Sequence, residues 1–97
     1  MAKGYWLARL DIKDRDTFAE YRKRNAAPLA KYGGRFLVRG GRAEIRFGPA
    51  AAENVVIEFD SYVQAVDCFN SAEYQAAAQY LKQSCDVIEF VMVEGAD

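Results

Sequence analysis

Residues 32–41 place the strongest constraint on the fold, because they hold a short apolar stretch that a glycine pair closes at each end. The ten residues read YGGRFLVRGG. The length of the apolar stretch and the glycine pairs at its two ends predict a strand with a tight turn on both sides. In a regular strand Arg35, Leu37 and Arg39 point to one face, and the residues between them point to the other. Two arginines on one face indicate that an acidic group or a ligand receives them.

Strand patterns and helical patterns follow one another along the chain in the order β-α-β-β-α-β. Strands are predicted over residues 4–12, 35–39, 53–60 and 86–94, and helices over 15–32, 62–69 and beyond Ser71. Residues 43–47 are expected to extend the second strand along the sheet edge, and residues 48–52 to form a mobile hairpin tip.

Three polar side chains precede the helical patterns at N-cap positions. Asp14, Ser61 and Ser71 each stand directly before a predicted helix, where a side-chain oxygen can accept a hydrogen bond from a free backbone amide. Pro28 lies inside the first helical pattern and lacks a backbone donor. We therefore expect a kink or a break near residues 26–27.

The element order indicates an α+β fold of the ferredoxin-like type, formed by one domain over residues 1–97. We expect a four-stranded antiparallel sheet in which the third strand lies between the first and the second, with the helices on one face. That face is expected to carry the apolar core: Trp6, Ala8, Leu10, Phe36, Val38, Val55, Ile57, Phe59, Ile88, Phe90 and Met92.

The other face of the predicted sheet mixes apolar and charged side chains, which is more typical of an interface than of a solvated surface. We therefore predict a homodimer with sheets packed face to face, which would pair Arg9 or Arg39 with Glu58 or Glu89. The alternative is a monomer whose sheet is simply hydrated. The interface candidates are Tyr5, Leu7, Arg9, Leu37, Val56, Glu89, Val91 and Val93.

Composition argues against several functional classes. The 97 residues carry 13 basic and 14 acidic side chains, so the net charge of −1 lacks the positive excess that nucleic-acid binding requires. No apolar run approaches the ~20 residues of a membrane span. The chain has no histidine and no glycine-rich phosphate loop, so neither a metal nor a cofactor is expected. The start of the chain shows no leader pattern, which predicts a cytoplasmic location and free thiols at Cys68 and Cys85.

Four segments taken together resemble the uncharacterised bacterial family catalogued as domain of unknown function 1330. They are residues 5–9, 32–41, 54–59 and 71–75, which fall in the family's order and span nearly the whole chain. The resemblance implies the dimeric α/β-barrel fold. That superfamily includes cofactor-independent monooxygenases, haem-degrading and dehalogenating enzymes, isomerase-like proteins and ligand-binding regulatory domains. The resemblance therefore does not select a function.

The resemblance also implies that a ligand would lie between the sheet and its helices. The ligand-binding candidates are Tyr21, Asn25, Arg35, Arg39, Glu58, Ser71 and Tyr74. An arginine fork can hold a carboxylate, and Tyr or Glu can act as acid or base when burial shifts the pKa. Each candidate also has a structural interpretation. Arg39 and Glu58 can form an ion pair, Ser71 can cap a helix, and the tyrosines can be core aromatics.

Three functions stay open on the sequence. The first is a cytoplasmic homodimer that binds a small anionic or oxygenated organic molecule. The second is an enzyme, either a cofactor-independent monooxygenase or an isomerase, acting on an aromatic or lactone-like compound. The third is a purely structural dimerisation module. The sequence does not decide whether a reaction is catalysed.

Overall fold

A computed structural model describes residues 2–49 and 53–96 of the chain. Its elements, in chain order, are β1 (Gly4–Ile12), α1 (Arg15–Lys31), β2 (Arg35–Arg39), β3 (Glu53–Phe59), α2 (Tyr62–Asn70), α3 (Ala72–Ser84) and β4 (Cys85–Glu94). They agree with the predicted order, and the last helical region consists of the two helices that Ser71 separates.

The four strands form one antiparallel sheet in the order β2-β3-β1-β4. β1 is a central strand, in which Trp6 pairs with Ile57 of β3 on one side and with Met92 of β4 on the other. β3 separates β1 from β2, and these two strands run parallel because each is antiparallel to β3. This is the predicted ferredoxin-like arrangement.

Each helix begins at a capping side chain that the sequence identified. Asp14 accepts a hydrogen bond from the Thr17 amide, and Ser61 and Ser71 cap α2 and α3 in the same way. The expected break near residues 26–27 is absent, because α1 continues as one helix through Pro28. Proline removes a single donor from the helix, and Pro28 is buried on the inner side of α1, where its carbonyl lies 3.6 Å from the Cys68 Sγ of α2.

Trp6 lies at the centre of the core, between the sheet and the helices. Its ring centroid is 5.1 Å from that of Phe59, 4.9 Å from that of Tyr74 and 5.2 Å from that of Phe90. Its indole N–H donates to the Ala65 carbonyl at 2.9 Å. Because a buried indole N–H needs an acceptor, this bond holds α2 in a fixed position on the sheet.

The side chains predicted to face the core are buried or half-buried except at the two sheet edges. Val38 on β2 and Ile88 on β4 are exposed. Ile88 pairs with Leu10 and lies on the helix side as predicted, but it is exposed because α3 packs mainly against α1 and leaves the outer part of β4 uncovered. Val38 lies on the other side, so there the prediction is wrong.

At Val38 the reason is a β-bulge, which changes the faces of β2. Beyond the second residue of this edge strand the register shifts by one, so that Val38 pairs with Val56 and Arg39 pairs with Val55. Paired residues share a face of the sheet. Arg39 therefore lies on the helix side, whereas regular alternation predicted it on the opposite side. Leu37 is the extra residue and is exposed, as predicted.

The segment after β2 leaves the sheet. The Gly40 amide makes a last ladder bond to the Asn54 carbonyl, and positive φ angles of 73° at Gly40 and 35° at Gly41 then turn the chain away. The strand extension predicted over residues 43–47 is therefore absent. Of the predicted hairpin tip, residues 50–52 lie outside the described residues.

Among the helices of the described residues, none combines the length and the apolar character that crossing a membrane would require.

Candidate functional site

A cavity of about 60 Å³ lies between α1 and the helix side of the sheet. Most of its wall is apolar. The apolar lining comes from all four strands, α1 and α3: Trp6, Ala8, Leu10, Phe18, Phe36, Val55, Ile57, Leu81 and Phe90. A mostly apolar pocket with a few convergent polar groups is the usual form of a small-molecule site.

One face of α1 supplies the polar groups of the cavity. Phe18, Tyr21, Arg22 and Asn25 line it at positions i, i+3, i+4 and i+7, which is the spacing of residues on one helical face. Tyr21 and Asn25 are buried, whereas Arg22 is exposed. The helix therefore places neutral hydrogen-bonding groups deep in the cavity and a cation nearer to solvent.

The end of β2 and the start of β3 form the rest of the mouth. Arg39 lies here with its guanidinium carbon 3.6 Å from the ring centroid of Phe36, a cation–π contact that holds the side chain over the cavity wall. Glu53 lies beside Gly40, whose positive φ of 73° favours glycine at this position.

The charges at the mouth are not balanced. Glu53 pairs with Arg15 at 3.3 Å. By contrast, neither Arg22 nor Arg39 forms an ion pair with any group in residues 2–49 and 53–96. Two guanidinium groups at the mouth thus remain available to an anion.

Two buried tyrosines meet at the inner end of the cavity. The hydroxyl oxygens of Tyr21 and Tyr74 are 2.7 Å apart, and the buried Asn25 lies one helical turn after Tyr21 on the same face of α1. Burial raises the pKa of both hydroxyls. The two tyrosines are therefore neutral hydrogen-bonding groups rather than bases at ordinary pH.

The predicted ligand-binding residues divide between three places. Tyr21, Asn25 and Arg39 line the cavity, and Tyr74 lies directly behind Tyr21. The ligand-binding role of these residues stays a prediction.

Ser71 lies elsewhere and acts as a helix cap. Its hydroxyl accepts from the Tyr74 amide at 3.1 Å and donates to the Cys68 carbonyl at 2.7 Å. The Ser71 hydroxyl thus uses both its proton and a lone pair in hydrogen bonds to the backbone. This agrees with the interpretation of Ser71 as a helix cap.

Arg35 and Glu58 lie on the side of the sheet away from the helices. The Arg35 guanidinium is 2.7 Å from the Glu58 carboxylate, which also accepts a bond from the Tyr5 hydroxyl at 3.1 Å, and Arg35 reaches Asp60 at 3.2 Å. Glu58 is thus paired with Arg35, and the alternative pairing with Arg39 is not formed. The bulge explains the difference, because it moves Arg39 to the other side of the sheet.

Sequence reasoning missed Arg22 and Glu53. Arg22 belongs to the basic run 22–24, which is typical of a solvated helix face, although its spacing from Phe18 indicates the inner face of α1. Its neighbours in the run do face outwards, where both contact Glu20. Glu53 carried a weaker signal, since alternation along β3 puts it on the face of Val55, but its position beside Gly40 depends on the pairing of strands distant in sequence.

The thiols do not add reactive groups to the site. The Cys68 Sγ lies 3.6 Å from the Pro28 carbonyl, and burial raises its pKa to about 12. A thiol of this kind is inert at neutral pH. In the part of the chain that the structure describes, no cluster of three acidic or cysteine side chains could hold a metal ion.

Fold and cavity together define an α+β protein of the ferredoxin-like class with a small, mostly apolar cavity under its first helix. The chain belongs to the family described as a domain of unknown function, DUF1330, whose model matches residues 3–96. The resemblance seen in the sequence is thereby confirmed. No curated protein matches the chain.

Solved structures with low sequence identity share this fold. A protein of unknown function from Rhodopseudomonas palustris has a TM-score of 0.81 at 12% identity, covering 99% of this chain and 84% of that chain. A dimeric ferredoxin-like protein of unknown function from Jannaschia sp. has a TM-score of 0.65 at 16% identity, with coverages of 94% and 97%. SnoaB, a cofactor-independent oxygenase from Streptomyces nogalater, has a TM-score of 0.65 at 14% identity, with coverages of 100% and 96%.

The Arg35–Glu58 pair predicts a specific pH dependence of stability. Its hydrogen bond from Arg35 lowers the pKa of Glu58 below the ordinary 4.5. A lowered pKa in the folded state contributes stability above pH 4.5, and this contribution is lost as the pH falls through the lower folded value. We expect Glu58→Gln to be less stable than wild type at pH 7 and to approach wild type in acid, as measured by urea unfolding.

The exposed Glu94 provides the control for this measurement, because Glu94→Gln removes a carboxylate from β4 without touching the Arg35 pair. The free energy of unfolding of Glu94→Gln should differ little from that of wild type at every pH. A Glu58→Gln deficit that persists unchanged below pH 3 would contradict the assignment to ionisation.

Proposed function

We propose that this protein is a homodimer that binds a small organic anion in the cavity, with the anionic group between Arg22 and Arg39. The observation that carries the proposal is the pair of guanidinium groups without an ion-pair partner among the described residues, at the mouth of an otherwise apolar cavity. Such a site favours a carboxylate at the mouth and an apolar group inside. The two buried free thiols suit a cytoplasmic location.

The volume limits the size of the enclosed group. A cavity of about 150 Å³ accommodates benzene, with six carbon atoms. By the same scale 60 Å³ encloses about two or three non-hydrogen atoms. A short aliphatic carboxylate therefore fits, with its tail inside and its carboxylate at the mouth. A larger ligand would have to project past the arginines into solvent.

The open face of the sheet, which is the side away from the helices, supports the dimer. Val38, Val56, Leu7 and Val91 stand in register across all four strands and form one continuous apolar row. Three of these side chains are exposed in the single chain. An apolar row of this length on an otherwise polar surface is typical of an interface.

The charges on the open face are compatible with burial in such an interface. Arg9 pairs with Glu89 at 3.1 Å and Arg35 pairs with Glu58, both within one chain. These charges therefore do not need the predicted partners across the dimer, because a second sheet would cover ion pairs that are already formed within one chain. A buried charge without a partner would oppose association.

The segment after β2 provides a second apolar element beside this face. Phe47 is 94% exposed and Ile45 46% exposed, and Arg9 of the open face donates to the Pro49 carbonyl of the same segment at 2.8 Å. A phenyl ring so exposed favours burial against a partner, since a large aromatic side chain gains ~1.5–3 kcal/mol when removed from water.

A cofactor-independent oxygenase is the second candidate function. The fold shared with SnoaB and the neutral Tyr21 and Asn25 groups inside an apolar cavity favour it. In this reading the substrate supplies the reactive carbanion and the cavity orients it. Oxygen consumption with hydroquinones separates the candidates, because a binding protein without catalysis leaves the oxygen concentration unchanged.

Removing either mouth cation should weaken binding of a short carboxylate. We expect Arg39→Ala and Arg22→Ala each to raise the Kd for butyrate by about tenfold, since each removes a charge-assisted hydrogen bond. Titration calorimetry at low ionic strength measures the effect. Lys23→Ala is the matched control, because it removes the same charge from the outer side of α1.

Equal weakening by all three variants would assign the effect to net charge rather than to the mouth. If wild type itself does not bind butyrate or propionate at millimolar concentration, the proposed site is wrong.

A charge in the apolar row should dissociate the dimer. Leu7→Glu places a carboxylate between Val56 and Val91, where a second sheet would bury it without a partner. We expect wild type to sediment as a dimer at micromolar concentration and Leu7→Glu as a folded monomer. Val63→Glu, on the exposed side of α2, should remain dimeric. A monomeric wild type would overturn the homodimer.

A further inference from the structure

The two buried hydroxyls at the inner end of the cavity define a direction for their hydrogen bond. Tyr74 is 0% exposed and Tyr21 is 7% exposed. In residues 2–49 and 53–96 the Tyr21 hydroxyl is the one hydrogen-bond partner of the Tyr74 hydroxyl. If Tyr21 donated to Tyr74, the Tyr74 proton would be buried without an acceptor, which is unfavourable. Tyr74 is therefore the donor and Tyr21 the acceptor.

The Tyr21 proton must then point elsewhere. In residues 2–49 and 53–96 the Tyr74 hydroxyl is the one hydrogen-bond partner of the Tyr21 hydroxyl, and Tyr21 lines the cavity. With its oxygen accepting from Tyr74, Tyr21 directs its proton into the cavity, so the pair ends in a donor that faces the cavity.

Apart from the neighbouring Asn25 amide, the other polar groups near the cavity do not compete for this role. The indole N–H of Trp6 is already used by the Ala65 carbonyl, and the guanidinium groups of Arg22 and Arg39 lie at the mouth. The cavity thus has cations at its outer end, an apolar middle and a neutral donor at its inner end. A ligand that satisfies all three parts carries an acceptor oxygen on its enclosed end.

We propose that the cavity selects short oxo acids, in which a carboxylate lies at the mouth and a ketone or aldehyde oxygen accepts the inner hydrogen bond. This inference rests on the proposed function and adds the substrate class. The enclosed volume, which holds about two or three non-hydrogen atoms, accommodates a carbonyl carbon, its oxygen and a methyl group. Tyr21 determines the specificity, and Tyr74 is a positioning residue that acts through Tyr21.

Matched pairs of probes isolate the inner hydrogen bond. Pyruvate against propionate, and acetoacetate against butyrate, differ by a carbonyl group in place of a methylene group at constant chain length and charge. Calorimetric titration of the wild-type protein should give a Kd about fivefold to tenfold lower for each oxo acid, the range expected for one net hydrogen bond.

Three tyrosine-to-phenylalanine variants then locate the donor. Tyr21→Phe should abolish the preference for the oxo acids while the Kd for propionate and butyrate stays within about twofold. Tyr74→Phe should reduce the preference, because the Tyr21 hydroxyl is then free to rotate. The double variant should equal Tyr21→Phe, since Tyr74 acts only through Tyr21. Tyr80→Phe, beneath Arg24 on the outer side of the helices, is the control and should behave as wild type.

The outcomes distinguish this inference from the function on which it rests. Equal affinity for oxo acids and their matched carboxylates, together with a loss on Arg39→Ala, overturns the inference and leaves the anion site in place. A Tyr74→Phe variant that keeps the full wild-type preference overturns the positioning role of Tyr74. If none of the four probes binds the folded wild type at millimolar concentration, the anion site is wrong and the inference falls with it.

Discussion

The burial of Trp6 is the constraint on which the rest of the structure depends. One side of its ring packs against Tyr74 of α3, its N–H holds the Ala65 carbonyl of α2, and its backbone lies in a central strand. A single side chain thereby fixes two helices relative to the sheet, and α1 closes the remaining gap. The cavity is the space left between these walls, so the packing of the core around Trp6 sets the shape of its inner part.

The two faces of the sheet handle charge in opposite ways. On the open face the acidic and basic groups are already matched within the chain, as in the pair between Arg35 and Glu58. On the helix side, Arg39 is stacked on Phe36 and has no acidic partner among the described residues. A face on which the charges are paired suits contact with another protein surface. A cavity with unpaired cations suits a small anion.

Much of the fold could be predicted because it follows from local rules. The period-two pattern of β1 and β3 identified the buried face, and the capping residues before each helix gave the helix starts within a residue. The site was harder to predict. Its key cation, Arg39, depends on how β2 pairs with β3, and pairing is a property of two distant segments. Gly40 and Gly41 suggested an irregularity, but the bulge lies before them, at Leu37.

Arg22 and Glu53 illustrate the other limit. Arg22 could have been found from helical spacing alone, whereas the position of Glu53 beside Gly40 follows from the pairing of β3 with its two neighbouring strands. Alternation along β3 gives the face on which Glu53 lies, but not the residues opposite it. Those depend on segments that are distant in sequence.

In a regular short strand only every second side chain can face the open side of the sheet, and the bulge in β2 lifts this limit. Regular pairing would give the open face only one side chain between Phe36 and Arg39, yet Leu37 and Val38 are both exposed there. The strand thus presents two exposed side chains in a row and also turns its last cation, Arg39, to the helix side. The register of β2 against β3 therefore controls where charge is placed, because regular pairing of Leu37 would return Arg39 to the open face and take one cation from the mouth of the cavity.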